Sequence, residues 1–227
     1  MTRRRQIWDI LYPTVFLFLC MIICSAVVLI IGGAVTGIRD TQELQEQVHT
    51  LPLFASLLAY VVTLLYNKKY IPSEEARFGK DENHWKVWQI ILACAFAVAA
   101  GLLWSHFLTH SVLMKIFPGY VQNAAGAFEG QPLPLLLVTT VVAGPLAEEW
   151  IFRGMTYRRI RSVLGIWPAA ILVALLFGAY HANMIQFLYA FPLGILFAWY
   201  YEKSGTLLVP VLAHIFVNFG ACIFSVF

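Results

Sequence analysis

The sequence places ionisable and amide side chains inside stretches that are otherwise apolar. In VVAGPLAEEWIFRGM, residues 141–155, the charges of Glu148, Glu149 and Arg153 interrupt one such run. Farther along, His181 closes a second run, and His214 and Asn218 fall within a third. A charge at bilayer depth costs roughly 2.5–3.5 kcal/mol on insertion scales, so an ionisable residue there carries a functional hypothesis with it. Carboxylates and imidazoles are also the side chains that move protons or bind zinc.

Spacing separates the roles open to these residues. Glu149 and Arg153 stand at i, i+4, so they are neighbours on a helix and can neutralise one another. Glu148 projects about 100° away from Glu149 and must face a different group. Phe177 and His181 repeat the i, i+4 spacing, as do His214 and Asn218, which could offer two hydrogen-bonding groups to one point. Each has a structural reading as well. Glu148 could pair with Arg153, His181 could cap the end of a span, and His214 with Asn218 could bond two helices together. Glu149 already has the spacing to pair Arg153, which leaves the second carboxylate, Glu148, surplus to that role.

Other chemistries lack their residues. Asp9, Asp40 and Asp81 all fall at termini or in loops, against a site of paired intramembrane aspartates. There is no GxSG serine motif, no HExxH helix, no glycine-rich phosphate loop and no nucleic-acid signature. His106 and His110 read as an interfacial pair near the end of a span, with a metal clip as the alternative; His49 and His84 sit in loops. Cys20, Cys24, Cys94 and Cys222 lie in apolar runs without zinc or disulfide spacing. They read as small apolar residues, with a Cys20–Cys24 redox pair as the alternative.

The elements that position these residues must be membrane helices. Of 227 residues, 60% are hydrophobic and 12% are charged, about half the charge of a soluble domain. Seven candidate spans follow from the apolar runs: Ile7–Gly33, Leu51–Tyr66, Trp88–Phe107, Leu133–Tyr157, Ile166–His181, Ile185–Tyr201 and Leu207–Phe227. Backbone groups in lipid must bond within their own segment, so the fold class is all-α and polytopic. The apolar run after Arg3–Arg5 continues to about Ile31, longer than a signal-peptide core, and reads as a retained first span. Segment 108–131 reads as a surface-lying helix and loop that could form a substrate-facing lid. Basic residues gather before span one and after spans two, four and six, which orients the N-terminus inside and the C-terminus outside. The chain reads as one transmembrane domain, 1–227. At a helical rise of 1.5 Å per residue, Glu148, His181 and His214 lie ~15, ~20 and ~12 Å from the inner ends of their spans. All three fall within the ~30 Å hydrocarbon core and could line one polar cavity. Pro145, Pro192 and Pro210 each remove a helix hydrogen bond and favour a kink through which water can enter.

The three motifs EEWIFR, FGAYH and HIFVN resemble, in order, the EExxxR, FxxxH and HxxxN motifs of the CPBP family, the CAAX protease and bacteriocin-processing membrane proteins, also called the Abi family. The surrounding GPLAEEWIFRG, LLFGAYH and LLVPVLAHIFVN are similar to the family pattern, and the resemblance runs from about Leu135 to Asn218. It implies variable N-terminal spans and loops over 1–131 and a catalytic core over 132–227. It also implies an intramembrane endopeptidase related to the type II CAAX prenyl endopeptidase, the Ras-converting enzyme. Glu148 and His181 would activate a water, and His214 and Asn218 would stabilise the tetrahedral oxyanion. Glu149 and Arg153 would support the site and Phe177 would shape its wall. No cofactor is favoured; the alternative is Zn2+ held by Glu148, His181 and His214. The implied partners are the lipid bilayer and a membrane-associated peptide or protein substrate, without nucleic acid, in a protein expected in a prokaryotic cytoplasmic membrane. The competing functions are a non-catalytic bacteriocin-immunity or regulatory binding protein on the same fold, and a small transporter with a buried ionisable relay.

Overall fold

The computed structural model describes residues 3–111, 113–116 and 130–226; most of the expected surface segment 108–131 lies outside them. Helix α1 spans Arg3–Thr36. The short α2, Thr41–Gln47, begins where the Asp40 carboxylate accepts from the backbone N–H groups of Gln42 and Glu43 at 2.9 and 2.8 Å, the usual cure for orphan donors at a helix start. Helix α3, Leu51–Asn67, runs through a 3-10 turn into α4, Ile71–Phe78. Helix α5 spans Val87–Thr109 and α6 is the short Leu113–Ile116. A continuous helix, α7, covers Leu133–Leu164. It is followed by α8, Ile166–Tyr180, α9, Met184–Ser204, and α10, Leu208–Val226.

Among the described residues there is no strand, and five helical stretches are long and apolar enough to cross a membrane: Ile7–Thr36, Leu51–Phe78, Val87–Thr109, Leu133–Leu164 and Met184–Ser204. Many large apolar side chains face outward, among them Ile30, Leu65, Ile91 and Leu103. A soluble fold would bury such residues, whereas lipid solvates them, and the chain is an integral membrane protein. Two further apolar helices coincide with the other expected spans but are shorter. Ile166–Tyr180 has 15 residues, a rise of ~22 Å against the ~30 Å of hydrocarbon.

Helix α7 is the least exposed of the long stretches and forms the axis of the fold. Around it the core joins Leu17 of α1, Ile151, Phe152 and Met155 of α7, and Ala169, Val173 and Phe177 of α8. A second cluster packs α5, α9 and α10 through Ala97, Phe197, Tyr200 and Val209. The contact between α8 and α9 relies on small residues: a Cβ on Gly194 would stand 3.0 Å from the backbone of Ala174. This is how membrane helices approach when burial offers little drive.

The end of the bundle rich in basic residues is tied by ion pairs. Arg159 meets Glu74 at 2.5 Å, Arg161 meets Glu202 at 2.7 Å, Arg77 meets Asp9 at 2.6 Å, and Arg158 lies 3.6 Å from Asp81. Asp81 also accepts from the Tyr201 hydroxyl at 2.9 Å and the Leu207 N–H at 3.0 Å, fastening the loop before α5 to the α9–α10 turn. The arginines that orient the chain by sequence thus also pair across helices. The four cysteines are free and buried, as their apolar settings imply.

Candidate active site

The site is built around an irregular stretch of α7. The helix widens to π geometry over Leu137–Ala143, returns to α over Gly144–Glu149, and widens again over Trp150–Tyr157. Each π turn inserts a residue and shifts the faces that follow, a feature common at functional sites. Pro145 accounts for part of this. In the first π stretch the Gly144 N–H bonds the carbonyl of Thr139, five residues back. The next bond in that register would run from residue 145 to the Thr140 carbonyl, and proline has no N–H to give. The Thr140 carbonyl is instead satisfied by Asn218 Nδ2 of α10 at 2.8 Å. The kink expected at Pro145 is therefore a widened turn with one freed carbonyl. Pro210 falls in the first turn of α10, where proline is tolerated and no kink is needed.

Glu149 and Arg153 pair as their spacing requires, Nη1 to Oε1 at 2.7 Å, with both side chains wholly buried. Arg153 Nη2 also donates to the Gly194 carbonyl of α9 at 3.0 Å. Its guanidinium lies 4.6 Å from the ring centroid of Phe177 and 5.4 Å from that of Phe197, so a buried cation is held by an ion pair, a carbonyl and two aromatic faces. Glu149 Oε1 accepts a second bond from His214 Nδ1 at 2.9 Å. The Nδ1 hydrogen thus points at Glu149, and Nε2 is the ring atom free to meet another group. It faces Glu148 Oε2 at 3.8 Å, too far for a direct hydrogen bond.

Glu148 is 5% exposed, and it does not pair with Arg153. Its Oε1 accepts from the Tyr60 hydroxyl of α3 at 3.0 Å. Tyr180 of α8 stands close to both Tyr60 and Glu148.

His181 ends α8. Its Nδ1 donates to the Phe177 carbonyl at 2.8 Å, which leaves Nε2 as an acceptor. The turn after it is sharp: Ala182 has φ +52°, an uncommon state for a residue with a Cβ. Asn183 then caps α9 by accepting from the N–H groups of Ile185 and Gln186. Phe177 links the two imidazoles, its ring centroid 5.1 Å from that of His181 and 5.8 Å from that of His214. Phe197 stacks on the other side of His214 at 5.0 Å.

Glu148, Glu149, Arg153 and His214 therefore stand in direct contact or near it. Asn218 reaches α7 at Thr140, about two turns before Glu148, and it engages a different acceptor from His214, so the two do not share a partner among the described residues. His181 joins through Phe177 and Tyr180, with no hydrogen bond or ion pair to the carboxylates among the described residues. Nor do three acidic, histidine or cysteine side chains gather as a metal site among those residues. The His106 and His110 rings lie tilted with centroids 4.1 Å apart, and His110 Nδ1 donates to the His106 carbonyl, an arrangement that ties one helix end.

Fold and site together define a helical integral membrane protein whose interior holds a carboxylate, a guanidinium and an imidazole in one hydrogen-bonded group, with a second carboxylate 3.8 Å from the imidazole. Residues 130–220 match the family described as type II CAAX prenyl endopeptidase Rce1-like, so the resemblance read from EEWIFR, FGAYH and HIFVN is borne out over that stretch. The chain is 24% identical over 220 residues to the "Putative membrane peptidase YdiL" of Bacillus subtilis, covering 95% of this chain and 87% of that protein. It is 27% identical over 115 residues to "Uncharacterized protein YpbD" of the same species, covering 49% of this chain and 58% of that one. Over 85 residues it is 35% identical to an "Uncharacterized 24.3 kDa protein" of Escherichia coli, covering 35% of this chain and 39% of that one. No solved structure matches it at a significant level.

Proposed function

We propose that this protein is an intramembrane endopeptidase that hydrolyses membrane-associated peptides or proteins, with Glu148 as the general base. One observation supports this above the rest. Glu148 is a buried carboxylate that its neighbouring arginine does not use; it is held at Oε1 by Tyr60 and turns Oε2 towards His214. A water beside that pair lies within reach of both groups. Glu148 takes a proton from the water as its oxygen attacks the scissile carbonyl carbon. His181 Nε2 acts with Glu148 on the same water. The oxyanion that forms is stabilised by His214 and by the second N–H of Asn218. As the C–N bond breaks, the proton held by Glu148 passes to the departing amine.

The same reading takes residues 132–227 as the catalytic core. The two shorter helices cross with the five long ones, giving seven spans with the N-terminus in the cytoplasm of a prokaryotic cell. YdiL carries a peptidase name, which agrees with this assignment.

The test is made in the source cell. The gene is deleted and restored as wild type or as Glu148→Ala at equal abundance, and new peptide termini are mapped in membrane and secreted fractions. Termini that depend on wild type and fall at least ~100-fold in the variant are expected, the scale of a lost general base. Identical termini, with the variant rescuing the deletion, would refute catalysis and leave a binding protein on this fold.

A further inference from the structure

We infer that Tyr60 is a positioning residue of this site, and that α3 is thereby part of the catalytic apparatus; the inference rests on the peptidase reading above. Tyr60 lies outside residues 130–220, the stretch that matches the family, and outside all three motifs. It reaches the site across 88 positions of sequence to place its hydroxyl 3.0 Å from Glu148 Oε1. The approach is shaped by its neighbours. On α7 a Cβ at Gly144 would lie 3.4 Å from the Tyr60 ring, so the ring rests against a helix face bare of side chain one turn before Glu148. Tyr180 of α8 also stands close to Tyr60.

A geometric consequence follows from that one bond. The terminal torsion of a glutamate is broad and nearly two-fold, so an unheld carboxylate samples many orientations. A donor on Oε1 fixes the plane and leaves Oε2 as the oxygen presented to His214 Nε2. His214 is occupied by Glu149 through Nδ1 and Arg153 is occupied by Glu149 and Gly194. Among the described hydrogen bonds, Tyr60 supplies the one made to Glu148.

Tyr60→Phe keeps the ring against Gly144 and removes only the hydroxyl. Purified protein in phospholipid vesicles is assayed on a peptide bearing a terminus mapped in the deletion experiment, with Glu148→Gln alongside. We expect Tyr60→Phe to lower kcat roughly 10- to 100-fold, the scale of a lost hydrogen bond to a charged group. KM should stay within about twofold and thermal unfolding should be little changed, a split that a general packing defect would not give. Unchanged kcat in Tyr60→Phe, with Glu148→Gln inactive, overturns this inference and leaves the peptidase reading intact. Equal cleavage by wild type and Glu148→Gln overturns that reading instead. Infrared difference spectra, with Glu148→Gln to assign the band, then decide the Tyr60 bond: a Glu148 carboxylate stretch that does not move in Tyr60→Phe refutes it.

Discussion

Replacing Arg153 by methionine should cost this protein more than almost any other single change, and the structure says how much of the cost is the pair and how much is the orphan left behind. Arg153 and Glu149 are both fully buried and meet at 2.7 Å. At an effective dielectric of 20 the attraction at that distance is about 6 kcal/mol. Against it stands the desolvation of both ions, several kcal/mol each, so the pair contributes little net stability. Arg153→Met alone removes the attraction but leaves Glu149 desolvated, with one neutralising partner gone and only the imidazole bond of His214 remaining. Breaking a buried pair in this way typically costs about 3–5 kcal/mol. For a chain of this length that is a fall in Tm of roughly 6–20 °C. Glu149→Gln removes the stranded charge and keeps an acceptor for His214. The double variant Glu149→Gln/Arg153→Met should therefore recover at least about half of the loss. Thermal unfolding in detergent of wild type, both single variants and the double completes the cycle. A coupling of several kcal/mol is expected. Losses that add within about 0.5 kcal/mol, the tolerance for independent sites, would refute the account of Arg153 as counter-charge.

Two other perturbations probe the frame and the chemistry. Gly194→Ala places a methyl 3.0 Å from the Ala174 backbone, which cannot rotate away. It should cost about 1–3 kcal/mol by overpacking and weaken peptidase activity through the Gly194 carbonyl that anchors Arg153, both read from one preparation by Tm and initial rate. Chelation with EDTA and 1,10-phenanthroline, followed by metal analysis of the dialysed protein, should leave cleavage within about twofold if the proton chemistry rests on Glu148 as proposed; loss of activity restored by Zn2+ with one equivalent bound would move Glu148, His181 and His214 to ligand roles.

Much of this site is legible in the sequence because it obeys local rules. The Glu149–Arg153 pair is a consequence of helical spacing, and burial makes the pairing obligatory rather than optional. That Glu148 must face elsewhere follows from the same geometry, but the identity of its partner does not. Tyr60 is one of ten tyrosines in a chain with seventeen phenylalanines, on a helix whose pattern does not set it apart from its lipid-facing neighbours. What selects it is tertiary: a glycine on α7 that admits its ring and a carboxylate one turn on. The π turns are hidden for a related reason. Pro145 announces that a hydrogen bond is missing, yet whether the helix bends or takes in an extra residue depends on who satisfies the freed carbonyl. Here it is Asn218, 78 positions away. Asn218 therefore has a second duty that its spacing from His214 cannot disclose. One amide hydrogen closes the gap left by Pro145, and that bond fixes where the other hydrogen points. A proline that looks like a defect in α7 and an asparagine that looks like a lone polar group in α10 thus meet in one feature, a freed carbonyl and the amide that satisfies it.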